Sequence, residues 1–136
     1  MQIGVIGGGG AAGERYRDAE RVGELVATRG AVLINGGLGG VMEASAKGAK
    51  TAGGTTIGII PGSHRKEANH YIDHIISTDM GHGRNILIAH SSDALIAIGG
   101  EFGTLSEIAL SLKLGKKVVS LHSWDIRGTL RATTPE

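Results

Sequence analysis

Residues 99–107 read Gly-Gly-Glu-Phe-Gly-Thr-Leu-Ser-Glu. This run can cradle a phosphate. Gly99, Gly100 and Gly103 let a ligand approach the backbone closely, and the helix-patterned segment that follows offers free N–H groups, with the Thr104 hydroxyl beside them. Two carboxylates accompany the cradle. Glu107 lies one turn into the helix, either as a functional carboxylate aimed at a ligand or as the acid of a Thr104-x-x-Glu107 capping box. Glu101 lies within the loop, where it repels a dianion unless it points outward or meets a cation. Arg84 opens another helical segment, and an arginine at that edge suits bidentate phosphate binding. The alternative is a solvated arginine, although a cation at a helix N-terminus invites a compensating partner.

Two more glycine clusters have the same placement. Residues 8–13, GGGAAG, match the G-x-G-x-x-G fingerprint of dinucleotide sites, with Gly8 and Gly9 the candidate ligand contacts. That fingerprint also wants an acid about 20 residues on, at the end of the second strand, to hold the ribose. The residue there is Asn35, so a phosphate loop or plain tight turn outweighs NAD or FAD binding. Gly36, Gly37, Gly39 and Gly40 form the other loop, opening a helix at Val41 with Glu43 in its first turn. Four glycines exceed what a turn needs, which favours a ligand-facing role over close helix–strand packing.

These loops need a frame, and the chain supplies one. Five β-branched segments read as buried strands: Ile3–Ile6, Ala31–Ile34, Thr56–Ile60, Ala94–Ile98 and Lys117–Leu121, with His74–Ile76 a weaker sixth. Helical patterns occupy Glu14–Arg29, Val41–Ala52, Arg84–His90 and Leu105–Leu114, the last with Leu105, Ile108, Ala109 and Leu112 inward. Alternation at this spacing predicts an α/β, Rossmann-like, doubly wound and mainly parallel sheet with helices on both faces, as one domain over residues 1–136. All three glycine clusters then lie at the carboxyl edge of the strands, where such sheets bind ligands. Thr134-Pro135-Glu136 reads as a helix start, so the domain is expected to lack a final helix.

Composition narrows the function classes. The chain has 136 residues, no cysteine, 24 glycines and a formal net charge of +1. The absence of cysteine excludes disulfides and thiolate chemistry, and suits a cytoplasmic protein. The near-balanced charge leaves no basic stripe for nucleic acid. No apolar run approaches the roughly 20 residues of a membrane span. The six histidines show no H-E-x-x-H spacing, so no metal site is expected.

Taken together, GGLGGVMEA at 36–44, GHGRN at 81–85 and SDALIAIGGEFGTLSEIALSLKLGKKVV at 92–119 resemble the LOG-like superfamily. That group includes cytokinin-activating phosphoribohydrolases and, closer to these residues, molybdenum-cofactor carrier-like proteins; some members carry a lysine decarboxylase label that nothing in this sequence supports. The resemblance spans roughly residues 1–121. It implies a Rossmann-like homo-oligomer, a dimer or tetramer, holding a small phosphorylated ligand. In the hydrolases a P-G-G-x-G-T-x-x-E loop binds a nucleoside 5′-monophosphate. Carried over, Gly103 and Thr104 hold phosphate, Glu107 is the acid and Arg84 the arginine, while Gly99 stands for the proline and Glu101 for the second glycine. Three functions follow from it. One is a carrier with molybdenum cofactor, a pterin, as cargo. Another is a phosphoribohydrolase, which needs no cofactor and in which Glu107 and Arg84 are catalytic. The third is a nucleotide-sensing or interaction module.

Overall fold

The computed structural model describes all 136 residues. Seven strands form one sheet: β1 (Gln2–Gly7), β2 (Val32–Asn35), β3 (Thr56–Ile60), β4 (His74–Ser77), β5 (Ala94–Ile98), β6 (Lys117–Leu121) and β7 (Thr129–Ala132). Their order is β4-β3-β2-β1-β5-β6-β7, and every neighbouring pair is parallel. The connection reverses direction beside β1, so β1 and β5 flank the switch point of a Rossmann-like fold.

The helices are α1 (Gly13–Thr28), α2 (Val41–Thr51), α3 (Asn85–Ser91) and α4 (Phe102–Lys113). One face of the sheet packs Val5, Leu33 and Ile98 against Val22 and Val26 of α1 and Ala44 of α2. The other packs Ile6, Ile34 and Leu95 against Ile88 of α3 and Ile108 of α4. Burial on both faces explains why the central strands are apolar runs and not alternating ones. The small residues of α2 let it approach α1 closely. Gly48 lies against α1 so closely that a methyl group there would fall 1.8 Å from Glu20 O, and one on Gly23 would fall 1.9 Å from Ser45 O.

Two local expectations change. Strand β7 was not anticipated, because Thr-Leu-Arg-Ala at an exposed edge carries no apolar run and leaves Leu130 exposed. The inward stripe of α4 is Thr104, Glu107, Ile108 and Ser111, while Ala109 is exposed. The stripe keeps helical spacing but admits three polar residues, which an apolar pattern cannot flag. Thr134-Pro135-Glu136 is not helical; Glu136 Oε1 instead accepts from Arg21 Nε at 2.8 Å. Pro135 edges a groove of about 380 Å3 beside α1, floored by Ile96 and Val119, which leaves Leu25 half-buried at its wall.

Candidate functional site

The loops after β1, β2 and β5 converge, and they touch through backbone. Gly8 O accepts from Ala11 N at 3.3 Å and from Val41 N, the first residue of α2, at 3.0 Å. Gly40 (φ 61°) sits so close that a methyl on it would fall 2.2 Å from Gly8 O, and one on Gly39 would lie 3.2 Å from Gly9 O. On the other flank, Gly8 approaches Gly100 with room for little more than a methyl. Gly100 (φ 91°) is in turn roofed by the Thr104 side chain, whose Oγ1 would be 2.2 Å from a methyl there. Glycine is required at 40 and 100 on both counts, conformation and space.

Helices α1, α2 and α4 all open at this edge, and none has a side-chain cap. Glu101 is the N-cap residue of α4 and Leu105 N makes the first bond back to Glu101 O at 3.0 Å, so the N–H groups of Phe102, Gly103 and Thr104 precede the helical ladder. Thr104 is therefore inside the first turn and the capping-box reading of Thr104 and Glu107 does not hold. Between the first and third loops lies a crevice of about 440 Å3, lined by glycines 8–10, Gly99, Gly100 and Gly103, with Arg15 and Glu101 as its charged side chains. A volume in the range of about 300–1,000 Å3 suits a small-molecule ligand.

Arg84 and Glu107 form a second cluster, below the loops on the α3–α4 face. Both are buried, each 7% exposed. Arg84 donates to Asn85 Oδ1 and, at 3.5 Å, to Gly36 O, while its Nε has no partner. Asn85 is held in turn by Ser106, to whose Oγ its Nδ2 donates at 3.1 Å. Burial pushes the Glu107 carboxyl up to about 7, with the Arg84 charge pulling the other way. Burial likewise lowers the Arg84 guanidinium, opposed by Glu107. The two charges feel each other, yet they do not close into an ion pair within 4 Å; all six such pairs lie elsewhere. A buried cation with an idle N–H and a carboxyl poised to ionise near neutrality are groups that a ligand could complete.

The residues singled out from sequence thus fall into two sets. Gly8, Gly9, Gly99, Gly100 and Gly103 line the crevice. Arg84 and Glu107 do not; Arg84 meets Gly36, where a methyl group would crowd Arg84 Nη2 at 2.5 Å and Met42 Sδ at 2.7 Å. Gly37 is tied to its neighbours through the main chain: its N–H donates to Asn35 Oδ1 at 2.8 Å and its carbonyl accepts from Asn69 N at 2.8 Å. Asn35 itself is buried, with Nδ2 donating to Met42 O at 2.8 Å, so it anchors the glycine loop and cannot hold a ribose. Arg15, in the first turn of α1, was missed; a cation at a helix start one position after Glu14 carries no motif. No group of three or more His, Asp or Glu side chains gathers in the chain, and no helix is long and apolar enough to cross a membrane.

An all-parallel sheet with glycine loops and uncapped helices at its switch point defines a Rossmann-like α/β protein. A model of the SLOG cluster4 family matches residues 1–135, and the chain belongs to that family. A protein of Archaeoglobus fulgidus is 62% identical over 122 residues, 89% of this chain and 80% of its own length. The cytokinin riboside 5′-monophosphate phosphoribohydrolase of Mycobacterium tuberculosis is 39% identical over 123 residues, 84% of this chain and 66% of that enzyme. Among solved structures, the molybdenum cofactor binding protein of Rippkaea orientalis superposes with a TM-score of 0.93 at 38% identity, covering 98% of this chain and 90% of that one. The molybdenum cofactor carrier protein of Chlamydomonas reinhardtii gives 0.88 at 37%, with the same coverage.

Proposed function

We propose that this protein binds a phosphorylated nucleotide- or pterin-like molecule in the glycine crevice and acts as a molybdenum-cofactor carrier. The observation that carries this reading is the opening of two uncapped helices, α1 and α4, at a glycine-lined crevice. Its N–H groups and Arg15 suit an anion, and the likeness to a molybdenum cofactor binding protein over nearly the whole chain suggests the cargo. In this reading the phosphate rests against Gly8, Gly9, Gly99, Gly100, Gly103 and Thr104, and the cofactor is carried without being transformed. The working form is a single-domain homo-oligomer in the cytoplasm.

A second reading, the phosphoribohydrolase, is favoured by Arg84 and Glu107. Here Arg84 pairs with phosphate or ribose, and ionised Glu107 stabilises an oxocarbenium-like sugar and orients water for N-glycosidic cleavage. Arg84 is the one charged group that acts on Glu107, so no partner carboxylate is assigned to protonate the leaving base. A nucleotide-sensing module is the third, requiring the crevice alone.

Native mass spectrometry and absorbance of freshly purified protein, then incubation with AMP and N6-substituted AMP, separate the three. A co-purified phosphorylated pterin without ribose 5-phosphate release supports the carrier. Release that vanishes in Glu107→Gln supports the hydrolase and ends the carrier reading. A bound nucleotide left intact points to the sensor.

A further inference from the structure

The glycine loop after β5 is held from the side away from the crevice. Strand β5 lies between β1 and β6, so a crevice between the β1 and β5 loops leaves the other flank of the β5 loop to the segment that follows β6. That segment meets it with three hydrogen bonds. Gly99 N donates to Leu121 O at 3.3 Å, the Ser123 hydroxyl donates to Gly99 O, and Trp124 Nε1 donates to Glu101 O at 3.0 Å. Together they bracket Gly100. On the crevice side Arg15 lies against Gly99, its Cδ 3.6 Å from where a methyl on that glycine would sit. The segment after β6 is itself under strain. His122 has φ 50°, one of two non-glycine residues in the left-handed region. A residue with a β-carbon keeps that conformation only where its surroundings over-determine it. Here His122 Nε2 donates to Thr133 O at 3.2 Å, and Ser120 Oγ closes the turn by donating to Trp124 O at 2.9 Å. The turn so made presents Ser123 and Trp124 to the glycine loop.

Adjacent glycines have more backbone freedom to lose than any other pair of residues. A loop built on Gly99 and Gly100 and left untied would hold its binding geometry for only a fraction of the time, and apparent affinity falls by that fraction. We propose that Ser123 and Trp124 are positioning residues for the crevice. They line no part of it. Instead they fix the Gly99–Glu101 loop, and through Glu101, the N-cap residue, the first turn of α4. Trp124 is steadied in turn by Phe102, the two ring centroids lying 5.9 Å apart. The proposal rests on the phosphorylated-ligand reading above and adds to it the residues that keep its phosphate cradle in shape.

Calorimetric titration with AMP, GMP and 6-hydroxymethylpterin monophosphate tests this on wild type, Ser123→Ala, Ser123→Thr, Trp124→Phe and Thr51→Ala. The last removes a hydroxyl bond of the same kind, to Lys47 O at 3.0 Å, at the far end of α2, and should bind as wild type does. Ser123→Ala should weaken every probe that wild type binds by about threefold to tenfold, the range for one hydrogen bond. The factor should be the same for each, because the loop serves the phosphate they share. Ser123→Thr keeps the hydroxyl and should restore wild-type affinity. Trp124→Phe keeps a ring against Phe102 but loses the N–H donor, and should weaken binding as Ser123→Ala does. Wild-type affinity in Ser123→Ala or Trp124→Phe, an equal loss in Ser123→Thr, or a loss confined to one ring system would overturn the proposal and leave the phosphorylated-ligand reading standing. Failure of all three probes to bind wild type would overturn both. Ser123 and Trp124 are half-buried, and thermal melts of the variants verify that they fold.

Discussion

Glu107 binds its proton more tightly in the fold than its ordinary value of 4.5 allows, because burial lifts it to about 7. Between those two pH values the folded chain holds the proton and the unfolded chain has lost it. Stability attributable to this group is therefore full below about 4.5, falls as pH rises to about 7, and is constant above. The fall is roughly 3 kcal/mol at most. Denaturant unfolding across pH 4.5–8 should show this slope in wild type and lose it in Glu107→Gln; a slope unchanged by the substitution would remove Glu107 as its source. At this scale the sequence was legible where a residue type is chemically unusual for its place. Glu107 and Arg84 stood out as charges beside glycine loops, and the structure buries both. Asn35 was noticed only as a missing acid, since nothing in its neighbours announces that its amide ties Met42 O and Gly37 N. Arg15 was invisible, because its importance comes from Gly99, 84 residues away in the chain.

At the scale of elements, the core strands and the four helices follow from apolar runs, helical periodicity and glycine punctuation, and their bounds shift by a few residues at most. The errors have a common cause in neighbours that sequence does not show. The inward stripe of α4 is set by Arg84, Gly100 and the sheet beneath it, so Thr104 and Glu107 turn inward in place of Ala109. Edge strand β7 pairs along one side only and needs no apolar pattern. The contact between α1 and α2 depends on Gly23 and Gly48, which local propensity would count as helix weaknesses. Gly48→Ala should improve propensity and yet destabilise, because the added methyl meets Glu20 backbone and not a flexible side chain. A loss of about 1–3 kcal/mol is expected, read as a lower urea midpoint with unchanged slope. A midpoint equal to or above wild type would show that the helices part at little cost.

For the whole molecule, strand–helix alternation was enough to place all three glycine loops on one edge, and the strand order confirms the parallel, doubly wound arrangement with the switch between β1 and β5. What alternation could not show is that this edge holds two adjoining compartments: an open, glycine-lined crevice and the buried Arg84–Glu107 cluster, with Gly36–Gly40 between them. The first loop and α2 are also joined there by a single hydrogen bond, Val41 N to Gly8 O at 3.0 Å. That amide is a built-in reporter. A ligand that stiffens residues 8–10 should lower the frequency with which this bond opens, so deuterium uptake at Val41 should slow on adding GMP or the pterin phosphate, while the distant amide of Asn69, bonded to Gly37 O, should slow less. Equal slowing at both would mean that occupancy tightens the entire glycine edge as one body; no slowing at either would place the ligand outside it.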